Sequence, residues 1–156
     1  MRLRRMRVAE LADAAALCMR SKAVWGYDEA FMAACQDELT ISPEELDQSI
    51  VLAAEEDGAL LGVGQLVLTD ETCELEKLFV EPTAIGRGVG RKIFGALRDE
   101  ALSQGAARML VTADPDAVPF YERIGFRKCG HEASGSIPGR TLPVLSLDLA
   151  TQPVMG

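Results

Sequence analysis

Side chains suited to metal or nucleophilic chemistry are what this sequence holds least of. There is one histidine, His131, in 156 residues, and the four cysteines (Cys18, Cys35, Cys73, Cys129) are scattered with no C-x-x-C pair. That spacing argues against a zinc site and a disulfide framework, so no metal is expected and the thiols read as reduced core residues. Basic charge is also short: 16 Lys and Arg face 24 Asp and Glu, for a net charge of −8. Nucleic acid and anionic membranes are therefore unfavourable partners, and a cationic substrate is favoured. No apolar run approaches a membrane span, and the opening Met1-Arg2-Leu3-Arg4-Arg5-Met6 lacks a signal-peptide core, which makes the cytoplasm the expected location. Repeats, low-complexity stretches and linkers are missing as well. With 48% apolar and 26% charged residues, a single domain over 1–156 is expected.

What is present is concentrated in Ile85-Gly86-Arg87-Gly88-Val89-Gly90-Arg91-Lys92. Three alternating glycines and three cations stand between an apolar strand pattern and a long amphipathic helix pattern. Glycine lets the backbone turn tightly and bring its N–H groups to a ligand. The helix that follows adds unpaired N–H groups and the positive end of its dipole. The combination is a pyrophosphate site. It is not a P-loop, because Gly90 is followed by Arg91-Lys92-Ile93 with no hydroxyl for magnesium. Nor is it the dinucleotide fingerprint, since the spacing is G-x-G-x-G and the loop lies mid-chain.

Around this loop the periodicities give a mixed α+β chain. An edge strand is expected at 2–7, a helix at 9–23 with Leu11, Ala14, Ala15 and Cys18 on one face, and a helix at 28–38 carrying Phe31, Ala34 and Cys35 inward. Ser42-Pro43-Glu44-Glu45 opens a short third helix, because serine caps free N–H groups and proline suits the first turn. Strands follow at 50–54, 59–69 and 73–80, the first two joined by the hairpin signal Glu55-Glu56-Asp57-Gly58. The long helix is expected at 88–104, with Ile93, Phe94, Leu97 and Ala101 buried and Gly105 closing it. Strand 108–113, helix 116–123 and strands near 126–131 and 142–149 complete the order.

Two flanking segments narrow the ligand. Upstream lies Cys73-Glu74-Leu75-Glu76-Lys77-Leu78-Phe79-Val80-Glu81-Pro82, and downstream Asp114-Pro115-Asp116-Ala117-Val118-Pro119-Phe120-Tyr121-Glu122-Arg123-Ile124-Gly125-Phe126. In this order the sequence resembles the GNAT superfamily of acetyl-CoA-dependent N-acetyltransferases. Their pattern is E-x-x-x-L-x-V, then Q/R-x-x-G-x-G/A opening a helix, then N-x-x-A-x-x-F-Y-x-x-x-G-F. The resemblance covers residues 50 to 132. It implies a GNAT-like three-layer fold, with a central, mostly antiparallel, splayed sheet flanked by helices, and it implies acetyl-CoA as co-substrate.

The resemblance also implies roles. Backbone groups of Gly86, Arg87, Gly88, Val89, Gly90 and Arg91 would cradle the pyrophosphate, with the Arg87 and Arg91 side chains adding charge. Leu78, Phe79 and Val80 would pair with the pantetheine arm, and the N–H of Phe79 or Val80 would polarise the thioester carbonyl. Tyr121, at the F-Y position, is the candidate general acid for the leaving thiolate, and it also contacts the cofactor. Glu74 is the candidate base. Glu76 points the same way from a strand and is an equal candidate. Trp25 and Tyr27 lie between the first two helices, where the family builds its acceptor pocket.

Two positions depart from the pattern: Ile85 replaces Q/R, and Asp114 replaces the usual asparagine, where it reads as a helix cap. Cys73, beside the site, reads as a small buried residue. The resemblance implies acetyl transfer to a primary amine of a small molecule or peptide. The alternative is an acetyl-CoA-binding regulatory module with little catalysis. Homodimers are common among relatives, and the sequence leaves the oligomeric state open.

Overall fold

A computed structural model describes residues 1–149; the last seven positions of the expected 1–156 span lie outside the described residues. The chain runs β1 (Arg2–Arg5), α1 (Leu11–Ala23), α2 (Glu29–Leu39), α3 (Pro43–Gln48), β2 (Ile50–Glu56), β3 (Ala59–Thr69), β4 (Thr72–Val80), α4 (Val89–Ser103), β5 (Arg108–Thr112), α5 (Val118–Arg123), β6 (Arg127–Ala133) and β7 (Thr141–Asp148). One seven-stranded sheet has the order β1-β2-β3-β4-β5-β7-β6. Every pairing is antiparallel except β4 with β5.

Local chemistry sets the element ends. The Asp28 carboxylate caps α2 by accepting the Phe31 N–H at 2.8 Å, and the Ser42 hydroxyl caps α3 by accepting the Glu45 N–H at 3.1 Å. The β2–β3 hairpin turns through Asp57 and Gly58, both left-handed at φ 52° and 81°. The expected helix at 116–123 divides into a 3₁₀ turn (Pro115–Ala117) and α5, with Pro119, which has no N–H to donate, in the first turn of α5.

Helices cover both faces of the sheet. On one, α4 buries Ile93, Phe94, Leu97 and Ala101 as the pattern predicts, together with Val89. Each fully buried Ile, Phe or Leu contributes about 2 kcal/mol. The approach to β3 is close: a Cβ on Gly64 would stand 2.4 Å from Ile93 Cγ2, and one on Gly62 would stand 2.7 Å from Ile93 Cδ1. Only glycine permits the helix to sit there. On the other face, α1 and α2 bury Leu17, Cys18, Cys35 and Leu39 against Val51, Ala53 and Val63.

The inward face of α2 differs from expectation. Met32, Cys35 and Leu39 are buried, Ala34 is exposed and Phe31 is half-buried. The Asp28 cap fixes the helix phase so that positions 32, 35 and 39 share the core stripe. That phase leaves Phe31 to stack on Tyr27, with ring centroids 4.0 Å apart.

Candidate active site

The sheet opens where β4 leaves β5. Their parallel ladder joins only Thr72–Glu74 to Arg108–Leu110, while β4 continues to Val80 with β3 as its sole neighbour. Among the described residues the β5-facing backbone of residues 75–80 is thus left without a strand partner. A cavity of about 400 Å³ occupies the gap.

β4 supplies the cavity's carboxylates. In the β3–β4 register Leu66 faces Leu75 and Gln65 faces Lys77, so Glu76 is the extra residue of a β-bulge. Glu74 and Glu76 both line the cavity from neighbouring positions on β4. Although the Glu76 side chain is exposed, desolvation at the cavity wall and the neighbouring Glu74 carboxyl push its carboxyl above the usual carboxylate range, against the opposing pull of Lys77. Lys77 itself is buried and donates to Gln65 Oε1 at 3.1 Å. Gln65 Nε2 in turn donates to Glu45 Oε2 and Ser49 Oγ, each at 3.1 Å. Nothing in the sequence spacing signals this buried chain.

Tyr121 enters the same cavity from α5. It is 6% exposed, and its ring lies edge-on to Phe120 and Phe126 at 5.3 and 5.4 Å. Burial drives its phenol upward, so the proton stays in place across the physiological range. Among the described residues its hydroxyl has no hydrogen-bond partner. Leu78, Phe79 and Trp25 also line the cavity, whereas Val80 points to the neighbourhood of Gly90.

The glycine loop stands beyond the end of β4. Gly86 and Gly88 have φ of 89° and 79°, and Gly88 is the N-cap of α4 in the left-handed conformation. A side chain at either would be strained. The first bond of the helix runs from the Lys92 N–H to the Gly88 carbonyl at 3.1 Å. Among the described residues the N–H groups of Gly88, Val89, Gly90 and Arg91 therefore find no acceptor. This is a cradle for an anion. Arg87 points elsewhere: its Nη2 donates to Glu56 Oε2 and Oε1 at 2.7 and 3.0 Å. Arg91 and Lys92 are exposed and, among the described residues, without an ion-pair partner, while Ile85 is 58% exposed.

Asp114 does more than cap. It accepts the Asp116 N–H at 3.1 Å and also the Tyr27 hydroxyl at 2.7 Å. Lys22 Nζ lies 3.4 Å away and Arg140 Nη2 3.6 Å away. Burial works to raise the Asp114 carboxyl, yet the Tyr27 and Asp116 hydrogen bonds and the two cations outweigh it and hold the group below its usual range. Arg140 also donates to the Tyr27 oxygen at 2.9 Å and lies 4.9 Å from the Phe31 ring centroid. Tyr27 is therefore a strut in this cluster rather than part of the cavity wall. Cys73 is buried, with its thiol pushed up to about 11 by burial, and it donates to the Arg108 carbonyl at 3.5 Å. His131 is exposed on β6.

Residues 17–136 match the family description "Acetyltransferase (GNAT) domain". The chain belongs to the GNAT acetyltransferase family. An IAA acetyltransferase of Azospirillum brasilense is 29% identical over 84 residues, which span 51% of this chain and 55% of that protein. The chain spans about half the length of the curated relatives it matches. Among solved structures, a GCN5-related N-acetyltransferase of Rhodopseudomonas palustris superposes with a TM-score of 0.79, at 22% identity and 94% coverage of both chains. The PaiA N-acetyltransferase of Thermoplasma acidophilum, solved in complex with coenzyme A, does so at 0.75, with 16% identity and coverage of 94% of this chain and 98% of that one.

GNAT acetyltransferases use acetyl-CoA. The donor set of this chain fits that molecule: the four N–H groups at the Gly88 turn that have no acceptor among the described residues suit a pyrophosphate, and the edge of β4 left unpaired among them suits an amide-bearing arm.

Proposed function

We propose that this chain transfers an acetyl group from acetyl-CoA directly to a primary amine of a small molecule or peptide, with Glu76 as base and Tyr121 as acid. The observation that carries the reading is the meeting of both groups in one cavity, at the divergence of β4 and β5. Acetyl-CoA supplies the activated acetyl group. The chain's own residues do the rest. The Gly88–Arg91 N–H groups hold the phosphates, aided by the Arg91 charge. Leu78, Phe79 and Val80 offer backbone partners to the arm, and the N–H of Phe79 or Val80 stabilises the carbonyl oxygen.

Glu76 accepts a proton from the incoming ammonium. Its raised carboxyl makes it a stronger base than an ordinary surface glutamate, and Glu74 sustains that rise. The carbon–nitrogen bond forms as the carbon–sulfur bond breaks, Tyr121 gives its phenolic proton to the departing sulfur, and the second proton shed by the new amide nitrogen restores the phenol. That proton is available because burial keeps the phenol neutral. Glu74 is the second candidate for the base and acts here chiefly by setting the basicity of Glu76.

Calorimetric titration with acetyl-CoA, followed by thiol-release assays against a panel of amines, tests the reading. Micromolar binding and amine-dependent thiol release are expected. Binding without release would leave a regulatory acetyl-CoA module, and absence of binding would remove the cofactor.

A further inference from the structure

The acid of the proposed reaction stands on a short footing. Tyr121 belongs to α5, which is six residues long, too short to be held by its own hydrogen bonds. Pro119 takes one donor from that helix, and the Tyr121 hydroxyl has no hydrogen-bond partner among the described residues. Buried Val118 and the Tyr121 ring anchor α5 to the core, but apolar packing is non-directional. A proton donor must meet the departing sulfur within hydrogen-bond reach, and a misplacement of about 1 Å costs on the order of 10²-fold.

Directional support comes at one point. Among the described residues, Asp114 makes the only polar contacts between α5, with the turn that precedes it, and elements distant in sequence. Its Oδ1 accepts the Asp116 N–H at 3.1 Å and its carbonyl accepts the Ala117 N–H at 2.9 Å, so this residue closes the turn from which α5 starts. Its Oδ2 accepts the Tyr27 hydroxyl at 2.7 Å, and the Tyr27 oxygen in turn accepts from Arg140 Nη2 at 2.9 Å. Three segments meet in that chain of bonds: the link between α1 and α2, the link between β6 and β7, and the start of α5.

The polarity of the chain is fixed as well. Burial and the Asp114 hydrogen bond push the Tyr27 phenol up to about 12, so it keeps its proton and donates it to the carboxylate. The Tyr27 ring is held flat on Phe31, with centroids 4.0 Å apart. An asparagine at position 114 would offer one oxygen and no charge to Lys22 and Arg140, which gives the aspartate a physical reason. We infer that Tyr27 and Asp114 are positioning residues for the acid: their hydrogen bond fixes the start of α5 and, one helical turn further on, the place of the Tyr121 hydroxyl. The inference rests on the reading of Tyr121 as acid for its kinetic consequence. The link that carries Tyr27 also carries Trp25 on the cavity wall, so the acceptor side and the acid share one anchor.

Tyr27→Phe tests this, because it keeps the stack on Phe31 and removes only the hydroxyl. The chain has two tyrosines, so in this variant Tyr121 gives the single ring signal in the NMR spectrum of protein labelled at tyrosine. That signal, assigned through Tyr121→Phe, is expected to shift or broaden. Val51→Ala, a core truncation on β2 against the other face of the sheet, is the control for lost stability and leaves both the signal and kcat in place. In thiol release from acetyl-CoA to the amine turned over fastest, Tyr27→Phe is expected to lower kcat about five- to tenfold, with acetyl-CoA KM and Kd within about twofold. On a Tyr121→Phe background the same substitution is expected to lower kcat less than about twofold, because no proton donor is left to place. An unmoved Tyr121 signal overturns the inference, and so does a full further loss on that background, the mark of a general structural role. The two readings fail separately. Undiminished kcat in Tyr121→Phe removes the acid and this inference with it; kcat lowered in Tyr121→Phe but not in Tyr27→Phe keeps the acid and removes the anchor alone.

Discussion

Between Glu81 and Arg91 the chain offers its ligand backbone: two glycines at positive φ, a left-handed N-cap and a row of N–H groups without acceptors. Across the cavity, from Lys22 to Glu38 and from Glu132 to Arg140, it offers side chains gathered from segments far apart in the sequence. A backbone site depends on local conformation, which few residues dictate, so it is sensitive to one glycine and tolerant of its neighbours' side chains. A side-chain site depends on the tertiary fold, so each member is replaceable at moderate cost. The difference explains how a family keeps one cofactor and changes its acceptors.

The hardest test of the contrast is Gly88→Val. At φ 79° a β-branched residue is strained by about 1–3 kcal/mol, and relief of that strain turns the α4 N–H groups away from the cradle. Acetyl-CoA affinity is expected to fall by roughly 10²-fold or more, with the far-ultraviolet spectrum unchanged. Gly90→Ala is the matched control, because its Cβ would meet Phe120 and Val80 at an ordinary 3.5 Å, and it is expected to cost less than about threefold. Equal losses in the two would show that side-chain bulk, not backbone conformation, governs the site. Tyr121→Phe follows in size. It keeps the ring packing and removes the proton, so kcat is expected to fall roughly 10²-fold with acetyl-CoA Kd unchanged in titration.

These two regions were not equally legible. The Gly86–Arg91 turn announces itself because only glycine serves at positive φ, and Tyr121 is carried by the FYERIGF segment that follows at a fixed interval. The β4 bulge is invisible in sequence, because Glu76 becomes the extra residue only in register with Gln65 and Leu66. Asp114 reads as a cap, and it is one, but its link to Tyr27, Lys22 and Arg140 joins positions 87, 92 and 26 residues away that carry no common pattern. Arg87 shows the converse. Its place in the loop suggests a phosphate contact, and only the fold reveals Glu56 of the β2–β3 hairpin beside it. Local conformation is written in residue order; long-range electrostatics are written in residue types whose partners only the fold selects.

Glu74→Gln probes the edge where the two halves meet. The Glu76 carboxyl is held up by desolvation at the cavity wall and by the neighbouring Glu74 carboxyl, and an amide at position 74 removes that charge. Glu76 then loses its proton at lower pH. Because the carboxylate form is the active base, the acid limb of the kcat/KM profile is expected to move to lower pH, with kcat falling less than about tenfold. A stationary limb, measured by thiol release, would take Glu76 out of the mechanism. In the acceptor half, Asp114→Asn keeps only one of the two oxygens that accept from the Asp116 N–H and the Tyr27 hydroxyl, and it leaves Lys22 and Arg140 facing each other without a carboxylate. Thermal unfolding is expected to show a loss of about 2 kcal/mol. No loss would mean that the cluster shapes the pocket without stabilising it.

The smallest effect belongs to Ile85→Gln, and it is the one that measures what side chains add to the backbone cradle. Ile85 is 58% exposed, so its replacement removes no core packing. It occupies the place where the family carries Q or R, and its backbone N–H is already bonded to the Pro82 carbonyl at 3.4 Å, which the substitution leaves intact. A glutamine there adds one neutral hydrogen-bond donor toward a phosphate, about 0.5–1 kcal/mol after exchange with water, or two- to fivefold in acetyl-CoA affinity. A gain of that size means that the free N–H groups of Gly88 to Arg91 already carry most of the binding. A gain of 10²-fold would mean that the loop had been waiting for a side chain, and the contrast between a backbone half and a side-chain half would have to be given up.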